Sequence, residues 1–322
     1  MSRFLAIALV LAAASAQSSN LDDARAAQAR GAQLHEQGDL KGAQREFDRA
    51  VQLAPNSDLA WYNRGLVHRD LGDCRAALVD FDRALALQPQ FFNALYQRGN
   101  CRQALGNYAE AIDDYTRAVG FPGRIPARFL AHLGRADALR RLGRLDEAYA
   151  DYTRVAELRD DTRALRSRAW VQYYRGRWRE AQEDAARYLH DSHAKERDAP
   201  YAVILGALAL RRAGDDDGAS RFMREWQPRI ADQEWPAPVL AYLADGNEKR
   251  LLAAAKDAGQ WTEARAYVGA NLLARGERDR AVEILRKVLR EDEPGYLEYD
   301  LAYYELARLG AAKAADRRAP TR

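Results

Sequence analysis

The sequence predicts an all-α chain, a right-handed α-solenoid of stacked helix-turn-helix hairpins, and three observations carry that expectation. Gly38, Gly72 and Gly106 recur every 34 residues. Five residues after each stands an alanine: Ala43, Ala77, Ala111. Four residues further on stands an aromatic: Phe47, Phe81, Tyr115. A fixed period of this length marks units that cannot bury an apolar face alone and stack to do so.

The first sixteen residues read as a signal peptide rather than as part of the stack. Arg3 supplies a short positive region, Phe4 to Ala14 an apolar run, and Ala14-Ser15-Ala16 a small-residue cleavage site before Gln17. The first cysteine after that site is Cys74, so a lipid anchor on a new N-terminal cysteine is not expected. The expected location is the periplasm or beyond it, with no membrane insertion, because no other segment has the roughly 18–20 apolar residues a spanning helix needs.

A regular array of five repeats is expected over 24–195, with clean units at 24–57, 58–91 and 92–125. The eighth position of each is glycine (Gly31, Gly65, Gly99), which allows close helix approach. The mid-unit glycine serves a turn that needs positive φ. Alanine at position 20 and an aromatic at 24 alternate small and large across the hairpin. Pro55 and Pro89 close the first two units. The series Trp61…Gly65…Ala77…Phe81…Pro89 resembles the tetratricopeptide-repeat (TPR) consensus.

Beyond this the register erodes. Gly143, Gly176, Gly214 and Gly276 are followed by Ala148, Ala181, Ala219 and Ala281 at uneven spacings. Longer loops are expected at 121–126 and 190–200, and the gap between Gly214 and Gly276 has room for a degenerate hairpin turning at Gly246. Residues 196–310 are therefore read as divergent TPR-like repeats ending in a C-terminal capping helix from about Tyr296 to Leu309. Residues 311–322 are read as a disordered tail.

Each second helix also places acid before base at i, i+3: Glu46/Arg49, Asp80/Arg83, Asp114/Arg117, Asp151/Arg154 and Asp184/Arg187. These read as solvated ion pairs on an outer face. Formal net charge is +3 with both signs interspersed, so no nucleic-acid partner is expected.

Little in the chain proposes chemistry. His190 and His193 are the only near pair of histidines and lack a third ligand, so no metal site is expected. Asp215-Asp216-Asp217-Gly218 starts like a calcium loop but lacks the closing glutamate, and helix capping accounts for it better. No nucleophile with a nearby base stands out, no cofactor is expected, and the chain is read as a non-enzyme. A cryptic hydrolase in the segment 196–260 is the rival from another class.

The expected binding surface is a stripe on the first helix of each repeat, at positions 2, 5, 9 and 12. It holds Tyr62, Leu66 and Arg69, then Asn93, Tyr96, Asn100 and Gln103. Leu133, Asp137 and Arg140 follow, and then Arg166, Trp170 and Tyr173. In TPR proteins this stripe lines the groove, and Asn63 matches an amide common in peptide-binding repeats. Aromatics beside amides and arginines suit a protein or extended peptide. Gln28 and Ala32 stand where a carboxylate clamp would need a lysine and an asparagine, so tail-carboxylate binding is not expected.

Cys74 begins one helix and Cys101 ends the next, and antiparallel stacking puts the two at one edge. They could form a disulfide across 27 residues or remain two buried thiols.

The rear half resembles the NlpI-type periplasmic TPR proteins of Gram-negative bacteria, on Trp235-Pro236, Gly246, Glu263-Ala264-Arg265-Ala266-Tyr267-Val268-Gly269 and the terminal Tyr296…Glu305-Leu306…Leu309-Gly310. That resemblance implies a homodimeric envelope adaptor that brings a protease to cell-wall enzymes. The function expected is a non-catalytic periplasmic scaffold, with an assembly factor for a pilus or secretion complex as the alternative.

Overall fold

The computed structural model describes the backbone of residues 2–121, 125–159, 162–230, 234–291 and 297–312, with side chains from Ser19 onward except at 125–127, 158–159, 291 and 297. Among these residues every regular element is helical. The chain packs as two compact units, Met1–Gly134 and Arg135–Arg322. The expected boundary at 195/196 falls inside the second.

Unit 1 contains α1 (Ser2–Glu36), α2 (Leu40–Leu53), α3 (Asp58–Asp70), α4 (Cys74–Leu87), α5 (Phe92–Ala104), α6 (Tyr108–Val119) and the first part of α7 (Ile125–Leu142). The signal segment and its cleavage site fall on residues whose side chains lie outside the description. The hairpins turn as the repeat pattern requires. Gly72 adopts φ 85°; its N–H bonds to the Arg69 carbonyl and that of Asp73 to the His68 carbonyl, closing α3. Asp73 then caps α4 by accepting from the Ala76 N–H at 2.9 Å.

Inside the hairpins, small meets large. Ala43, Ala77 and Ala111 are fully buried, and Phe47, Phe81 and Tyr115 with them. A Cβ at Gly65 would stand 2.7 Å from the Phe81 ring, and one at Gly99 would stand 2.8 Å from Tyr115. Position 8 is glycine because the aromatic at position 24 uses the space a side chain would need.

The acid–base pattern is a correction. Asp80 and Asp114 are 1% exposed, not solvated. Their partners are arginines sixteen residues earlier on the facing helix, not those three residues on. Arg64 grips Asp80 through Nε (3.0 Å) and Nη2 (2.7 Å), and Arg98 grips Asp114 through Nε at 2.9 Å and Nη2 at 2.5 Å. The same arginines reach back to the preceding hairpin, Arg64 to Asp48 and Arg98 to Asp82. Arg30–Glu46 starts the series, and Arg135–Asp151 and Arg168–Asp184 repeat it in unit 2. Arg49, Arg83, Arg117, Arg154 and Arg187 are exposed instead. A buried carboxylate needs a two-pronged partner, which a guanidinium on the packed helix provides and a side chain one turn along cannot.

Unit 2 continues from Arg135 of α7 through α8 (Leu145–Arg159), α9 (Thr162–Tyr174), α10 (Trp178–Asp191), α11 (Ala199–Arg212) and α12 (Asp216–Trp226). The degenerate hairpin is present as α13 (Ala237–Asp245) and α14 (Glu248–Ala254), with Gly246 left-handed between them. Next come α15 (Ala258–Ala274), α16 (Arg278–Glu291) and α17 (Leu297–Arg308). Because α7 begins at Ile125, Pro126 lies in its first turn and the loop expected up to that residue is shorter. Asp215 caps α12 through the Gly218 N–H, which accounts for the aspartate run. Of the tail expected to be disordered, residues 313–322 lie outside the description, and Ala311 bonds back to Leu306.

Candidate functional site

The expected stripe divides between the units with opposite outcomes. In unit 1, α3 and α5 present it side by side. Asn93 is exposed, and Tyr62, Asn63, Leu66, Arg69, Tyr96, Asn100 and Gln103 are half-buried. Tyr62 leans on Phe91 with ring centroids 4.7 Å apart, and Tyr96 lies parallel to Phe92 at 6.3 Å. Each phenol is thus held by an aromatic at the start of α5 while part of its surface stays open.

The polar members are tied into one network. Arg69 Nη1 donates to Gln97 Oε1 at 2.5 Å, and Asn100 Nδ2 donates to the same oxygen at 3.2 Å. The Tyr115 hydroxyl donates to Asn100 Oδ1 at 2.7 Å and to Gln103 Oε1 at 3.3 Å. Arg69 also pairs with Asp70, whose other oxygen meets His35 at 2.7 Å. Burial raises the Tyr62 hydroxyl above its usual pKa against the opposing Arg69 charge, so it stays a neutral donor. Gln97, the hub, is absent from the expected residues although it holds position 6 of its repeat, the position of Asn63 in the repeat before.

Two hollows flank this face. One, about 380 Å³, is lined by Leu59, Phe91, Phe92, Asn93, Phe121 and Arg128, among others. The other, about 410 Å³, is lined by Leu21, Arg25, Gln28, Ala54, Ser57 and Leu59, among others. Leu59, 52% exposed, is the wall they share. The 2-5-9-12 spacing that picks out Tyr62 also picks out Leu59 at position 2 of the second repeat.

In unit 2 the stripe is not a free surface, which corrects the expectation for three residues. Trp170 and Tyr173 are 2% and 1% exposed, and Arg140 is buried. For Arg140 and Tyr173 the reason is α17. Asp300 pairs with Arg140, whose backbone oxygen accepts from the Tyr304 hydroxyl at 2.9 Å. Glu305, fully buried, accepts from Tyr173 (2.7 Å), Arg212 (3.1 Å) and Arg308 (2.8 Å). Tyr304 stacks on Tyr174 at 4.6 Å, and Glu298 accepts from the Tyr267 hydroxyl at 2.7 Å. The C-terminal helix therefore does more than cap α15 and α16: it seats its carboxylates on the groove-side donors of α7, α9, α11 and α15. Asp137 is taken by the Tyr152 hydroxyl and Arg166 by Asp198. Leu133, a unit 1 residue of α7, is half-buried.

The two cysteines belong to one packed cluster: both are free thiols, Cys101 is buried in it beside Ala77 and Phe81, and Cys74 packs against it.

The tetratricopeptide-repeat family profile matches residues 34–90, 62–125 and 92–161. Residues 34–161 are TPR repeats. The solved structures that resemble the chain share its fold at low identity. A tetratricopeptide repeat protein from Parabacteroides merdae aligns over 88% of this chain and 99% of its own length, at 16% identity and TM-score 0.57. PilW, a type IV pilus biogenesis factor, aligns over 64% of this chain and 92% of its own, at 18% identity and TM-score 0.53. YrrB, described as a TPR protein with an unusual peptide-binding site, aligns over 65% and 96%, at 18% identity and TM-score 0.50. No curated protein sequence matches the chain. Among the described residues no helix is long and apolar enough to cross a membrane.

Proposed function

We propose that this TPR chain is an exported, non-catalytic scaffold that holds a protein or peptide partner on the α3–α5 face of unit 1. The observation that carries this reading is the contrast between the units. In unit 2 the stripe is engaged by the chain itself, Tyr173 and Arg140 by α17, whereas in unit 1 Tyr62, Tyr96 and Asn93 stay accessible between two hollows. Tyrosine is among the residues enriched at binding hot spots. The likeness in fold to YrrB supports a peptide as occupant. The NlpI-type resemblance of the rear half supports a protease adaptor of the cell wall as the setting, acting as a homodimer.

The test is a photo-reactive side chain placed at position 62 or 96 in cells. A discrete adduct, lost when the other tyrosine is changed to alanine, supports the reading. Adducts that arise only from probes on α2, α4 or α6 would move the binding face to the opposite side and end it.

The likeness to PilW favours a second reading, an assembly factor for a pilus. Deleting the gene separates the two, because loss of surface pili with normal cell-wall turnover selects the second.

A further inference from the structure

The chain contains two cysteines, and both pack into one cluster between α4 and α5. Cys74 is the first residue of α4, directly after the capping Asp73, and is half-buried. Cys101 lies one turn from the end of α5 and is fully buried. The pair sits in a small apolar cluster with Ala77 and Phe81, against which Tyr62 and Leu66 of the binding face pack. Two thiols used only as small apolar residues have no need to share a cluster, and the remaining 320 residues of the chain offer neither an alternative cysteine.

We propose that Cys74 and Cys101 are an oxidation site whose disulfide ties α4 to α5 beneath Tyr62 and Leu66, holding the second and third hairpins in register. Any effect on partner binding rests on the function proposed above; formation of the bond does not.

The chemistry balances with a small disulfide such as oxidised glutathione as the oxidant. The Cys74 sulfur, the accessible one, attacks it and releases one glutathione, leaving a mixed disulfide on Cys74. The Cys101 sulfur then displaces the second glutathione and closes the bond. The two protein thiols give up two electrons, and their two protons leave on the two glutathione thiols. Burial, followed by the nearby Cys74 thiol, pushes the Cys101 thiol well up, which keeps it from starting the exchange. Closing the loop between the two residues restricts the unfolded chain and so favours the folded one.

Full-length reduced protein is equilibrated in glutathione buffers of rising oxidant fraction, quenched with acid, unfolded, alkylated and weighed. The expected product takes up no alkyl group, is lighter than the reduced chain by two hydrogens, and yields one cross-linked peptide joining Cys74 to Cys101. Its melting temperature rises by about 5–10 °C. Cys101→Ser loses that rise and stops as the Cys74 mixed disulfide. Two alkylated cysteines, a mixed disulfide on the unmodified chain or a cross-linked dimer would each overturn the assignment. Amide exchange over residues 62–72 should slow on oxidation, and unchanged exchange would overturn the claim that the bond stiffens this face. The mass result stands whether or not a partner is cross-linked at position 96, so the two proposals fail separately.

Discussion

Arg64 and Asp80 face each other across the second hairpin, joined by two parallel hydrogen bonds between helices sixteen residues apart in the chain. Removing the carboxylate leaves a guanidinium at the helix interface with Asp48 and the face of the Trp61 ring. Asp80→Ala should destabilise unit 1 by about 3 kcal/mol, whereas Arg64→Met with Asp80→Leu should cost far less. Urea unfolding of the single and double variants measures both. An Asp80→Ala midpoint equal to the parent's would show that the pair contributes nothing.

Gly65 tests the small-against-large packing. Alanine favours helix by about 1 kcal/mol, but its Cβ would meet the Phe81 ring at 2.7 Å. Overpacking of this kind costs about 1–3 kcal/mol, so Gly65→Ala should be net destabilising by about 1 kcal/mol. Adding Phe81→Leu should recover part of the loss, and thermal melts of the three variants read it directly.

Trp170 and Tyr96 should part company. Trp170→Ala opens a cavity in the core of unit 2 and should cost about 3–5 kcal/mol. Tyr62→Ala with Tyr96→Ala should stay within about 1–2 kcal/mol of the parent while losing the partner captured by a photo-reactive side chain at position 93. Chemical unfolding with the cross-linking assay separates the two effects.

The seat of α17 is sensitive to pH through Glu298. Burial, then the nearby Glu263 carboxylate, pushes its pKa up to about 7, with the Tyr267 hydrogen bond opposing and Asp300 adding. Glu263, held by Trp235 and Tyr201, is raised by burial too. A carboxyl raised in the folded state is protonated there while the unfolded chain has already ionised. Its penalty therefore grows as pH rises from about 4.3, the unfolded value, to about 7, and is fully present above that. Glu298→Gln should raise the melting temperature at pH 8 and change it little at pH 4. The gain is at most about 4 kcal/mol, and a gain equal at both pH values would remove the assignment.

Export should leave a mature chain beginning at Gln17 with no acyl group. Intact mass of the protein from native envelopes checks this, and a product that retains Met1 would count against it.

The repeat was legible because its signals are local. Glycine at the turn, alanine and an aromatic at fixed offsets and a proline at the unit end each act within one hairpin, so a period in the chain is a period in space. Gly65 against Phe81 and Gly99 against Tyr115 follow from that register directly. The clustering of Cys74 with Cys101 does too, because consecutive antiparallel helices bring their neighbouring ends together.

The arginine–aspartate series was present at a constant spacing of sixteen but was hidden by a nearer pattern. Asp80 followed by Arg83 looks like a surface helix pair, and only the packing of α3 on α4 turns Asp80 inward to Arg64. The fate of Trp170 and Tyr173 was not legible at all. Their position in the repeat is the same as that of groove residues in unit 1, and what engages Tyr173, on which Trp170 packs, is a helix more than a hundred residues later.

The sequence by itself determined the hairpin, its period, its turns and the stripe that faces away from the packed side, since each depends on neighbours within about 34 residues. The tertiary structure alone decided which stretch of that stripe is open. Glu298, Asp300 and Glu305 are ordinary acids on an amphipathic helix until they lie over Tyr267, Arg140 and Tyr173. A contact between residues far apart in the chain leaves no period to read, because its energy depends on the path of every hairpin between them.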